Sequence, residues 1–263
     1  MSGYKPIGVF DSGVGGLSVL SHLRIKLPFE NLVFLADQKH VPYGQKTQKE
    51  LHDLTERVTK FLLNFDIKLL VVACNTASCY AIGHLRSKFS IPIVGVVPAI
   101  KPAISLTKTG RIAVMSTPAT AKSRYLKDLI GKFANGKKIL RLGCSGLEDS
   151  IETLDSKKTE KLLNIYVSKV KSFGADVIVL GCTHYPFLKG EIAKRLGNGV
   201  RIVDSGKAVA ERVNNLLQTP SKISQKNLKQ VKQVFFTTGD PLMFSQVASK
   251  LLKYKVAGKK AYL

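Results

Sequence analysis

The 263-residue sequence has no tryptophan, three methionines and four cysteines, and it is short of acid, with 18 aspartates and glutamates against 41 lysines and arginines. It also has no long apolar run. The best, LLVVAC and DVIVLGC, stop far below the ~20 residues that a spanning helix needs, so no membrane segment is expected. The opening MSGYKPIGVFDSG has neither the charged start nor the apolar middle of a signal peptide, and a cytoplasmic location is expected. In that compartment Cys74, Cys79, Cys144 and Cys182 are expected as thiols, not as a disulfide framework. No C-x-x-C pair is present to suggest structural zinc.

The shortage of acid leaves a net charge of +23. Such a balance favours anionic partners: nucleic acid, a membrane surface or small acidic metabolites. The lysines are scattered, with modest concentrations in PSKISQKNLKQVKQV and in the tail KYKVAGKK. No RNP or zinc-finger signature accompanies them. A solvated basic surface is therefore the plainer reading, and a nucleic-acid contact the alternative.

What is present is an alternation of strands and helices. KPIGVF, NLVFLAD, KLLVVAC, IPIVGVV, RIAVMST, KILRLGC, DVIVLGC and RIVDSG read as strands. Helices are expected in LSVLSHLRIKL after the turn DSGVGG, over 48–65, in TASCYAIGHLRSKF, and at about 120–133, 157–173, 187–196 and 206–217. Within 48–65, Leu51, Leu54, Val58, Phe61, Leu62 and Phe65 share one helical face. Strands feeding helices at this spacing predict an α/β fold with mainly parallel sheets.

The two halves echo each other. VFDSG at 9–13 is answered by IVDSG at 202–206, and ACNT at 73–76 by GCTH at 181–184. All four copies fall at expected C-terminal ends of strands, the edge where open α/β sheets bind ligands. Two similar α/β domains facing each other across a cleft are the expectation.

Cys74 and Cys182 each close an apolar run and precede a helix start. Free amides there would lower a thiol pKa from about 8.5 and, with the hydroxyls of Thr76 and Thr183, hold a carboxylate. A thiolate and a thiol on opposite faces of one bound anion form a two-base relay. One removes a proton, the other returns it from the far side, and a stereocentre inverts with no cofactor. Asp11 is placed to assist Cys74 and His184 to assist Cys182, while Ser12 and the PYG loop offer polar contacts.

Plainer readings compete at each position. An isolated cysteine is usually a small core residue, which is the expectation for Cys79 and Cys144 but not for the matched pair. GVFDSGVGG lacks the G-K-[ST] ending of a phosphate loop, and Ser18 stands where a dinucleotide fingerprint needs its third glycine. Cys182 and His184 have no second ligand pair, so no metal is expected. His22, His40, His52 and His84 read as isolated surface or packing residues. Asp204 either caps the helix from about 206 or lines the cleft.

FDSGVGGLSVL, VPYG, CNTAS and GCTHYP, in this order and over nearly the whole chain, resemble glutamate racemase, the cofactor-independent enzyme that makes D-glutamate for bacterial peptidoglycan. The resemblance implies two α/β domains, 1–97 with 207–263 and 98–206, with the active site between them. It implies Cys74 and Cys182 as the acid–base pair, with Asp11, Ser12, Tyr43, Gly44, Asn75, Thr76, Thr183 and His184 as substrate contacts. Glu152, in the loosely patterned GCSGLEDSIE, matches the glutamate that supports the histidine. A homodimer is also implied. Gln38-Lys39-His40 and Cys79 depart from the usual pattern, and the +23 charge is no hallmark of the family. Aspartate and hydantoin racemases share the paired cysteines, so substrate length stays open. A nucleic-acid-associated or regulatory protein on the same fold is the alternative from another class.

Overall fold

The computed structural model describes residues 5–217 and 231–263. Lys222, Lys226 and Lys229 of the basic stretch lie outside the described residues. The chain divides into two compact units, Met1–Val96 with Gly206–Leu263, and Val97–Ser205.

The first unit begins β1 (Ile7–Asp11), α1 (Leu17–Lys26), β2 (Leu32–Ala36), α2 (Gln48–Leu63), β3 (Leu69–Val72), α3 (Asn75–Lys88) and β4 (Ile93–Gly95). The second unit follows with α4 (Ile100–Leu106), β5 (Arg111–Ser116), α5 (Pro118–Lys122), α6 (Arg124–Phe133), β6 (Lys138–Gly143), α7 (Leu147–Glu152), α8 (Ser156–Phe173), β7 (Val177–Leu180), α9 (Lys189–Leu196) and β8 (Arg201–Val203). The chain then returns to the first unit as α10 (Gly206–Leu217), β9 (Gln233–Thr237), α11 (Pro241–Leu252) and β10 (Gly258–Lys260).

Both sheets are parallel throughout. The first runs β10-β9-β2-β1-β3-β4 and the second β6-β5-β7-β8. β1, β2, β3 and β7 are buried along their whole length, which is why they read as continuous apolar runs instead of alternating ones. α2 starts at a capping box, in which Thr47 and Glu50 exchange backbone hydrogen bonds. Its Leu51, Leu54, Val58 and Leu62 are buried in the first unit's core, with Phe61 packed edge-on against Phe236. The second core is built from Ile112, Val114, Val177 and Val179 under Ile100 and Leu126.

The expected fold class holds, with local differences. The single helix at about 120–133 is two helices, because Ser123 ends α5 and its hydroxyl accepts from Leu126 N to start α6. The segment at 187–196 is a short 3-10 turn, Tyr185–Leu188, followed by α9. β9, β10 and α11 were not expected at all. β9 pairs with β2 inside the first sheet, and Asp240 caps α11 ahead of Pro241. Among the described residues no helix is long and apolar enough to cross a membrane.

Candidate functional site

In the first unit the chemistry gathers where β1 and β3 end. Asp11 is the last residue of β1 and is fully buried. Its Oδ1 accepts from Gly13 N at 2.9 Å and from Ser12 Oγ at 3.0 Å. Ser12 Oγ lies 3.6 Å from Cys74 Sγ, so Asp11 reaches the thiol through a hydroxyl. Gly16 keeps this corner tight, since a Cβ there would fall 2.6 Å from Asp11 Cβ.

Cys74 is the N-cap of α3, and its Sγ accepts from Ala77 N at 3.5 Å. A sulfur in the cap position receives the partial positive charge of the helix start. Asn75 and Thr76 form the first turn of α3 and are buried. Asn75 Oδ1 has no hydrogen-bond partner.

Tyr43 is buried beside this corner, with Gly44 following it in a 3-10 turn. The Tyr43 hydroxyl donates to Asp37 Oδ2 at 2.7 Å. Burial raises the pKa of that hydroxyl well above the usual tyrosine value, and the charges of Asp37, Cys74 and Asp11 raise it further. Asp37 is a residue that sequence reasoning missed. It is fully buried, it accepts from Thr238 Oγ1 at 2.7 Å, and it pairs with His40 Nδ1 at 2.8 Å. His40 is therefore not isolated. Neither are His52 and His84, whose rings stack 4.2 Å apart, with His84 Nε2 2.6 Å from Glu56.

In the second unit the corresponding corner follows β7. Cys182, Thr183 and His184 are buried. Cys182 Sγ lies 3.6 Å from His184 Nδ1, and His184 Nε2 lies 2.6 Å from Glu152 Oε1 at the end of α7. This is a thiol–imidazole–carboxylate chain, Cys182–His184–Glu152. Burial alone would strip the proton from His184. Its hydrogen bonds to Cys182 and Glu152 outweigh that and raise its pKa well above the usual histidine value.

The Cys182 thiol departs from expectation. Burial pushes its pKa up, against the opposing pull of His184. The segment after it is a four-residue 3-10 turn, not an α-helix, so it offers a weaker array of aligned amides than α3 gives Cys74. Cys144, by contrast, is a packing residue. It is fully buried, its Sγ points to Leu142 O at 3.6 Å, and burial lifts its thiol far out of reach of ionisation. Asp204 pairs with Lys189 Nζ at 3.3 Å. Among the described residues no three histidines, cysteines, aspartates or glutamates are grouped to hold a metal ion.

Two parallel α/β units, each carrying a thiol with its own polar partner at the carboxyl edge of its sheet, are the architecture of a family of racemases. Residues 28–213 match the Asp/Glu/Hydantoin racemase family, and the chain belongs to it. Among its relatives, the glutamate racemase of Herpetosiphon aurantiacus is 43% identical over 245 residues, covering 92% of this chain and 96% of that protein. The solved glutamate racemase isoform RacE1 of Bacillus anthracis superimposes with a TM-score of 0.88 at 34% identity, covering 99% of this chain and 98% of that one. The Escherichia coli glutamate racemase, solved with L-glutamate and the activator UDP-MurNAc-Ala, gives 0.83 at 33% identity, with 97% of each chain covered.

Proposed function

We propose that the chain interconverts L- and D-glutamate without a cofactor, by a two-base mechanism in which Cys74 and Cys182 exchange roles. The observation that carries this reading is the pairing of each thiol with its own polar relay, Cys74 with Ser12 and Asp11, and Cys182 with His184 and Glu152. Relatives named glutamate racemase over nearly the full chain favour glutamate over aspartate.

One thiolate takes the α-proton, and the C–H electron pair stays on the substrate as a carbanion. The other thiol then donates a proton to the opposite face, so no group is oxidised or reduced. Cys182 acts on the L-isomer and Cys74 on the D-isomer. The α-proton is very weakly acidic, so the base must be strong once ionised. Burial supplies that strength at Cys182, and His184 offsets the cost of forming the anion. Asn75, Thr76 and Thr183 bind the substrate's polar groups, and the orphaned Asn75 Oδ1 supports such a role. Tyr43 and Gly44 shape the same corner. The product would supply D-glutamate for peptidoglycan in the cytoplasm, and a homodimer is part of this reading.

Circular dichroism of the protein with L-glutamate in D2O, without pyridoxal phosphate, tests it. The signal should decay to zero as deuterium enters the α-carbon. Decay with L-aspartate alone would transfer the assignment to the sister substrate. Cys74→Ala and Cys182→Ala should each abolish turnover in a folded protein, and racemisation surviving in either would sink the two-thiol scheme.

A further inference from the structure

Glu148 lies in the first turn of α7, four residues before Glu152. That spacing places both carboxyls on one face of the helix, and Glu152 from that face holds His184. Glu148 joins the same cluster. Tyr185, next to His184, donates its hydroxyl proton to Cys144 O and leaves the Glu148 carboxyl without it, while the Glu148 charge is felt at both His184 and Cys182. Yet its Oε2 is buried with no hydrogen-bond partner. A buried carboxylate oxygen left without a donor is costly, and its retention calls for a reason beyond stability.

We propose that Glu148 is a positioning residue of the Cys182 corner, a second carboxyl alongside Glu152 that biases the pair toward protonated Cys182 beside a cationic His184. Electrostatics gives the sense of the bias. A carboxylate favours the imidazolium and opposes a neighbouring thiolate, so it loads this corner as the proton donor. The inference rests on reading Cys182 as an acid–base thiol.

The groups facing this corner are few. His184, Cys182 and Tyr185 come from the segment after β7, and Cys144 from the end of β6. Asp149 and Glu152 belong to α7 itself, and α8 brings Tyr166, Lys169 over its ring, and the exposed Lys158 paired with Asp149.

The test is the pH dependence of Cys182 alkylation by iodoacetamide, followed by peptide mass mapping in the wild type, Glu148→Gln and Glu148→Val. Burial raises the Glu148 carboxyl above the usual glutamate value, but it raises the Cys182 thiol above the usual cysteine value too, so the thiol midpoint is read where the carboxyl is ionised. Removing the charge should lower the Cys182 midpoint by about half a pH unit, giving about threefold faster alkylation below it. Glu148→Gln keeps the shape and removes the charge, so an unchanged midpoint in that variant overturns the inference even if melting falls. Racemisation is read on the same samples. A shifted midpoint in a protein that turns over no glutamate would leave this inference standing and refute the proposed activity.

Discussion

Glu152 does two things to His184 with one hydrogen bond. It fixes which ring nitrogen faces Cys182, and together with the larger pull of the Cys182 hydrogen bond it keeps the ring charged against burial. The folded pKa of His184 lies above its unfolded value of about 6.5, so the pair contributes stability that is complete below about pH 6.5. That contribution is lost as pH rises through the folded value. Glu152→Gln should therefore lower the His184 pKa, read by NMR of labelled imidazole. It should also flatten the loss of stability between neutral and alkaline pH. A His184 titration unmoved by the substitution would show that the carboxylate does not hold the proton.

Residues of this kind differ in how visible they are in sequence. Cys74 and Cys182 announce themselves because each closes an apolar run and each has a counterpart in the other half. Asp37 and Glu148 do not. An aspartate after a strand or a glutamate in a first helical turn is what capping and solvation put there routinely. Only the folded chain reveals that Asp37 gathers Tyr43, Thr238 and His40, or that Glu148 leaves an oxygen buried.

At the scale of elements, the inner strands were legible because burial on both faces makes them apolar throughout, and α2 because its buried face repeats at helical spacing. β9 and β10 were not. Gln233–Thr237 is a short run next to a lysine-rich stretch, and what makes it a strand is β2, a partner remote in sequence. The break between α5 and α6 was hidden because Ser123 interrupts no apolar pattern, and its extended backbone and capping hydroxyl leave no mark in the sequence.

Connections follow the same logic. The turn between α4 and β5 is pinned by Asp176, which accepts from Thr107 Oγ1 at 2.5 Å and from the amides of Lys108 and Thr109 at 2.6 and 2.9 Å. Desolvation pushes this carboxyl up, but those donors prevail and lower its pKa to about 2. The sign is that of a depressed acid. Its contribution is complete above about pH 4 and disappears as pH falls toward 2. Asp176→Ala should cost about 1–2 kcal/mol at neutral pH, a modest figure because the site is partly solvated. Urea unfolding at pH 7 and at acidic pH checks this, and the difference between variant and wild type should shrink in acid.

For the whole molecule, the +23 charge is a property that no single element explains. A positive field concentrates a dicarboxylate near the surface and is screened by salt. If glutamate is the substrate, its KM should rise several-fold between about 0.05 and 0.5 M sodium chloride with little change in kcat. A salt-independent KM together with tight DNA binding near physiological ionic strength would move the explanation of the charge to nucleic acid.

The return of the chain to its first sheet has a consequence for how the protein is made. Asn31, just before β2, accepts a hydrogen bond from Lys232, 201 residues later, and β9 then continues the pairing along β2. On the ribosome β1 to β4 emerge first, and the whole of Val97–Ser205 must be synthesised before β9 exists. Through that interval the edge of β2 is an open hydrogen-bonding template, the kind of surface that recruits wrong partners. The nascent chain thus carries an open β2 edge throughout that interval, and a stall or truncation shortly before residue 233 would release a protein with an unfinished sheet.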